Sequence, residues 1–483
     1  MKRLNRSILP DPVRYPIKAL FFGGGNFLRG FAAWMIHQMN QQGLFQGGIL
    51  IVKPTPHGTY DQFRDQEGLF HVLIRGEQDG SNVTENHLVT AVQEVVNPYS
   101  DHAAFLKAAE IDSLQVVISN TTESGLTLTG DDRIEDAPPS SFPGKLTQFL
   151  WHRFRHFKGA DSAGLVILPC ELVRNNGYVL LQLLTELSEN WELPEEFSNW
   201  LQRANTFCNT LVDRIVPGFP DRDAEAIYQE LGCRDTLMVQ AEPYYLWAIE
   251  SPHKVSEVLP LGKAGFHVVF SRDISRYRDL KIRILNGAHT AMVPIGLLAG
   301  YQKVAEVMLD DDLLHFIDTT IRQEIHPGMS YPQEELDEYT RQVYDRFRNP
   351  FFDHFLSSIA LHSISKFASR LLPSLLLYQE LHDRPPKRIT AILAALIYMY
   401  RGESKGISLP VKDSEAVTEY FQDLWKKLER NSLSRNQLAS FILSKKVYWG
   451  QDLTRVPRLT NLVIDYLRLL EEKDVRALVA RQT

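Results

Sequence analysis

Apolar residues follow two different rhythms along the chain. Up to about residue 240, short runs rich in Ile, Val, Leu and Phe (Ala19–Phe22, Gly48–Val52, Leu114–Ser119, Leu165–Leu168) alternate with amphipathic stretches such as Phe31–Gln42 and His102–Ala109. Strand-like runs spaced by helix-like ones predict βαβ units and a parallel sheet covered on both faces. Beyond about residue 274 the spacing changes to three and four, over Ala305–Glu324, Gln333–Phe347, Phe355–Leu372, Ile389–Tyr400, Ser414–Leu428 and Leu459–Glu472. Prolines such as Pro327, Pro332, Pro350, Pro373 and Pro457 punctuate these segments, as helix ends require. The expected architecture is α/β plus all-α: a Rossmann-like, doubly wound dinucleotide domain over 1–273 and a mainly helical substrate and catalytic domain over 274–483. The most apolar run, Ile389–Tyr400, makes a helix of only ~18 Å at ~1.5 Å per residue, short of a ~30 Å bilayer core. It is predicted to be buried.

Composition narrows the partners. A chain of 483 residues exceeds one ordinary hydrophobic core, and 44% apolar with 23% charged residues excludes wholesale disorder. The formal charge of 52 − 59 = −7 argues against a general nucleic-acid binder. Three cysteines (Cys170, Cys208, Cys233) make no disulfide framework and suit a reducing cytoplasm. The opening MKRLNRSILPDPV has no apolar stretch of signal-peptide length. A cytoplasmic monomer or small homo-oligomer acting on a small molecule, without a membrane partner, is the expectation.

The first chemical motif runs from a strand into Gly23-Gly24-Gly25-Asn26-Phe27-Leu28-Arg29 and on into a helix. That context suits a dinucleotide: Gly23 permits the tight turn, Gly25 lets the backbone approach a pyrophosphate, and the helix N-terminus offers free N–H groups. Two positions depart from the pattern. Leu28 stands for the third glycine, and the second strand ends at Lys53 where a ribose-binding acid is expected. Lys53 could instead pair with a 2′-phosphate, which leaves NAD and NADP both open. A second loop, Ser119-Asn120-Thr121-Thr122-Glu123-Ser124-Gly125, follows a Val-rich strand, where such folds form their ligand crevice.

The third motif is Lys281-Ile-Arg283-Ile-Leu285-Asn286-Gly287-Ala288-His289. Alternation followed by Asn-Gly predicts a hairpin. A helix at ~100° per residue would instead set Lys281 at 0°, His289 at ~80° and Asn286 at ~140°, on one side. Moving hydride to or from an alcohol carbon needs a group for the hydroxyl proton and donors for the developing alkoxide. A lysine whose pKa is lowered by burial can be the base, with Asn and His as donors. Metal is not expected: the cysteines lack ligand spacing and no His-Glu-x-x-His occurs.

These motifs, with PCELVRNNG (169–177), TLVDRIVPG (210–218) and RFRNP (346–350), resemble the polyol-specific long-chain dehydrogenase/reductase, or mannitol dehydrogenase, family over essentially the whole chain. The resemblance implies a helical Lys-x4-Asn-x2-His segment, with Lys281 as general base and Asn286 and His289 orienting the substrate oxygen. It implies Asp213 and Asn176 as substrate-binding positions, Thr122 and Glu123 at the nicotinamide end, and NAD as cofactor. Leu172 replaces an asparagine that helps hold the oxyanion in the mannitol and fructuronate members. The implied activity is metal-independent interconversion of a keto-uronate and its aldonate, D-tagaturonate and D-altronate. The alternatives are fructuronate/mannonate or a neutral polyol within the family, or a non-catalytic dinucleotide sensor. Arg75, Arg283, Arg348 and Lys366 are the candidate anchors for a uronate carboxylate.

Overall fold

Alternate residues of the first strand, β1 (Ile17–Phe22), enter two different cores. Ala19 and Phe21 join one cluster with Phe31, Met35, Ile49, Ile51, Val116 and Ile118. Leu20 and Phe22 join another with Leu50, Val52, Val117, Phe105 and Phe149. A strand buried on both faces has no polar side to show, which is why its sequence is continuously apolar. In this computed structural model β1 lies within a six-stranded parallel sheet with β2 (Gly48–Val52), β3 (Val92–Val96), β4 (Val116–Ser119), β5 (Val166–Pro169) and β6 (Thr206–Phe207). The spatial order is 3-2-1-4-5-6, the doubly wound dinucleotide-binding topology. The structure describes all residues except 10–12, 79–80, 122–124, 129, 251–253, 352, 405 and 483.

The chain divides into two compact units, Met1–Tyr277 and Arg278–Thr483. The first also carries two small sheets that the apolar pattern does not announce. Phe70–Gln78 pairs antiparallel with Ser81–Val89 and parallel with Val239–Ala241. Leu246–Glu250 lies between Asn209–Asp213 and Val268–Ser271.

The second unit is helical around a single extended core. Lys387–Met399 runs through it, with every residue from Ile389 to Tyr400 buried, and it packs on Asn286–Leu298 and Leu459–Glu472. Gln333–Phe347 and Leu459–Glu472 form as their spacing predicts. The expected single helix 305–324 breaks at Asp310, whose carboxylate accepts from the Leu313 N–H and starts a new helix. The expected helix 355–372 breaks at His362, which adopts a left-handed φ of 54°. Among the described residues no helix is long and apolar enough to cross a membrane.

Candidate active site

At the end of β1 the chain must reverse into a helix within a few residues. Gly23 does so at φ +116°, where a side chain would be strained, and its N–H donates to the Val52 carbonyl at 3.0 Å. The Gly24 N–H donates to Tyr60 Oη at 2.9 Å. Gly25 caps a continuous helix over 26–41, and a Cβ placed on it would meet no atom within 4 Å. The space over this turn is therefore open, and the first N–H groups of the helix face it. Arg29 braces the loop from below, donating to the Gly24 carbonyl at 2.9 Å and to Asn26 Oδ1 at 2.8 Å. Burial among Phe63 and Phe70 pulls its pKa down to about 10.

Leu28 fills the space reserved for a third glycine and packs into the core. The close approach that a third glycine normally allows occurs at Gly30 instead, where a Cβ would stand 2.9 Å from Val216. Lys53 is 1% exposed. Its ammonium donates to the Thr55 carbonyl at 2.5 Å and lies 5.3 Å from the Tyr99 ring, and burial lowers its pKa.

The tips of β4 and β5 are tied together by Glu171, a residue that sequence reasoning did not single out. Its buried carboxylate accepts from Ser119 Oγ (3.0 Å), the Thr121 N–H (2.8 Å) and Thr121 Oγ1 (3.0 Å). Burial pushes its pKa up, and those hydrogen bonds oppose the shift. Thr122 and Glu123 lie outside the described residues. Asn176 is fully buried: its amide nitrogen donates to the carbonyls of Pro169 (2.8 Å) and Glu171 (3.0 Å), and its oxygen accepts from the N–H groups of Gly177 and Thr210. Both ends of the amide are thus engaged inside the fold, across the ends of Val166–Pro169 and Asn209–Asp213. Asn176→Ala should cost at least about 1–3 kcal/mol by stranding those buried partners, read as a lower denaturant midpoint. Asp213 is buried at the end of Asn209–Asp213, and Arg214 donates away from it, to the carbonyls of Gly30 and Glu242. Leu172 is 51% exposed.

The Lys281 segment is helical, not a hairpin. Ser275–Asp279 is α-helical, Leu280–Leu285 forms a π turn, and Asn286–Leu298 continues as α-helix. Leu280, Ile284, Leu285 and Ala288 all enter the second unit's core, a demand no hairpin strand could meet. Within the π turn the Asn286 N–H donates to the Lys281 carbonyl, five residues back. Lys281 and Asn286 thus sit one turn apart in near register, closer in angle than an α-helix would place them. Lys281 is buried and Asn286 half-buried.

His289 follows on the next turn, stacked on Phe347 with centroids 4.2 Å apart and edge-on to His354 at 4.7 Å. Its buried Nε2 has no hydrogen-bond partner among the described residues. Burial first, then the fields of His354, Arg346, Arg370 and Lys366, hold its pKa well below the usual value, so the ring is neutral. Arg283, a candidate anchor, is occupied elsewhere: it donates to Ser374 Oγ at 3.1 Å and to the Gly328 carbonyl at 2.7 Å. Arg346 and Arg370 were not among the expected cations.

Comparison with known proteins agrees with both units. Residues 17–263 match the model of the mannitol dehydrogenase Rossmann domain, and residues 273–470 match that of the mannitol dehydrogenase C-terminal domain. Altronate oxidoreductase from Yersinia enterocolitica is 40% identical over 481 residues, 99% of each chain. That from Bacillus subtilis is 40% identical over 472 residues, 98% of this chain and 96% of its own. A solved mannitol 2-dehydrogenase from Pseudomonas fluorescens, a ternary complex with NAD and D-mannitol, shares the fold at a TM-score of 0.78, with 20% identity and 99% of each chain covered.

Proposed function

The chain belongs to the mannitol dehydrogenase family, and from that premise we propose that it interconverts D-tagaturonate and D-altronate with NAD as hydride carrier. The observation that carries the reading is the placing of a buried lysine, a carboxamide and a neutral imidazole along one helical segment by the π turn. A dinucleotide sensor would have no use for those three together.

The dinucleotide fits the first unit. The turn at Gly23–Gly25 is open above Gly25 and backed by helix N–H groups, as a pyrophosphate requires. Bound there, with Asn26, Phe27, Leu28 and Arg29 completing the turn, the cofactor's nicotinamide would give or take hydride at the alcohol carbon. Lys281 takes the proton from that alcohol during oxidation and returns it during reduction. Asn286 donates through its amide, and His289 through Nε2 in the tautomer that carries its proton there, to the substrate oxygen while it bears negative charge. Asp213 is the further polar residue proposed to bind substrate.

NAD is favoured over NADP by the conformation of Lys53, whose ammonium turns inward to Thr55 and Tyr99. Lys53→Met should therefore change the NAD-to-NADP preference by less than about tenfold, or ~1.4 kcal/mol, measured as the ratio of the two kcat/KM values. Three buried thiols suit a reducing, cytoplasmic setting. The function itself is tested by following nicotinamide absorbance with a panel of keto-uronates and neutral ketoses. Fastest turnover on tagaturonate is expected. Preference for fructuronate or a neutral ketose would overturn the substrate, and no turnover on any would overturn the chemistry.

A further inference from the structure

The connection that follows β2 carries a group with no part in the reaction just described. In doubly wound dinucleotide-binding sheets an acid near the end of this strand holds the adenosine ribose. Here Lys53 stands at that place, buried, with its ammonium given to the Thr55 carbonyl. The same connection brings Tyr60 to the glycine turn, just ahead of the short helix Asp61–Asp65.

Packing fixes it there. Phe63, three residues later, is buried in the core cluster that holds Ile51 and Phe70. Gly24 leaves room for that ring, since a Cβ on Gly24 would lie 2.8 Å from Phe63. Residues three apart at a helix start share a face, and the Tyr60 and Phe63 rings pack with centroids 5.4 Å apart. Tyr60 Oη is thereby set at the turn, where it accepts the Gly24 N–H at 2.9 Å. That bond occupies a lone pair and leaves the hydroxyl's own proton to be donated. Burial raises the Tyr60 pKa, so the oxygen keeps this proton at neutral pH. Gly24 and Tyr60 thus form a short donor chain ending in O–H, in which each bond strengthens the next.

We propose that the Tyr60 hydroxyl binds the adenosine diphosphate half of the dinucleotide, donating to a phosphate or ribose oxygen in place of the acid that Lys53 replaces. The inference rests on the proposed function, which makes Gly23–Gly25 the cofactor turn, and adds the residue that recognises the adenosine end. A carboxylate at this point could accept from a ribose hydroxyl but would repel the pyrophosphate. A neutral O–H can donate to either. The contact lies at the far end of the cofactor from the nicotinamide, so it is made equally before and during hydride transfer.

Tyr60→Phe keeps the ring that packs on Phe63 and removes only the oxygen. In the full-length enzyme it should weaken NADH binding about tenfold, the worth of one hydrogen bond from a neutral donor, read by NADH fluorescence. ADP, which carries only the adenosine half, should lose affinity by the same factor in competition with NADH. KM for NADH should rise alike while kcat does not fall, as expected when uniform binding is removed. Unchanged NADH affinity would overturn the inference. So would a loss for NADH that ADP does not share, which would put the contact in the nicotinamide half. A kcat that falls together with affinity would mean that the turn itself had shifted, a structural role that also overturns it. A wild-type enzyme that fails to bind NADH would instead overturn the cofactor reading on which the inference rests.

Discussion

Lys281→Ala is expected to slow alcohol oxidation and ketone reduction by about 10²–10⁴-fold, the range that a positioned acid–base group supplies. The side chain is buried on a π turn whose next residue in register is Asn286. A substrate oxygen held by Asn286 and His289 would keep its orientation in the variant but lose the group that moves its proton. NADH affinity should survive, because the glycine turn belongs to the other unit. The two directions should depend on pH in opposite senses in the wild type, since oxidation needs the neutral amine and reduction the ammonium. His289 should add no step of its own near pH 6.5, because burial and neighbouring cations keep it neutral well below that value. Rates of both directions across pH, in wild type and variant, are the measurement. A variant with near-normal turnover and an unchanged profile would mean that the base lies elsewhere.

Gly25→Val should abolish most cofactor binding without unfolding the chain. Gly25 has φ −66° and ψ 172°, an extended conformation that valine adopts readily. No protein atom lies within 4 Å of the added Cβ. The branched side chain would fill the space that a pyrophosphate needs in order to reach the helix N–H groups. Loss of two such contacts at roughly 1.5 kcal/mol each gives a rise in Kd of about 100-fold or more. Equilibrium binding of NADH checks the first half, and an unchanged melting temperature checks the second. Unaltered affinity would remove the assignment of this turn.

How legible each feature was depended on where its cause lies. β1, β2, β4 and β5 show in the sequence because both their faces are buried, so their apolar runs are unbroken. Ile389–Tyr400 shows for the same reason. The hairpin Phe70–Gln78 with Ser81–Val89 does not, because its second strand is mostly exposed and reads as a polar loop. Lys281–Leu285 alternates like a strand and is followed by Asn-Gly. Its helix is decided by the distant residues of the core that Ile284 and Ala288 join. Side-chain commitments are harder still. Nothing local distinguishes Arg283, locked onto Ser374, from Arg370, which reaches Thr290. Nor does the sequence tell that the Asn176 amide is saturated or that Glu171 ties two strand tips together.

The turn at Leu280–Leu285 holds one more residue in each hydrogen-bonded ring than the α-helix that follows it. Substitutions that favour regular geometry, with every residue kept, would let the backbone close into uninterrupted α-helix. Five residues at ~100° each would then leave Lys281 ~140° from Asn286, out of the near register that the wide turn gives them. At this point robustness and turnover are opposed: the regular helix would make a hardier molecule with nothing to do. Screens that reward heat resistance alone would drift toward that dead end, so any effort to stabilise the enzyme should leave this wide turn in place.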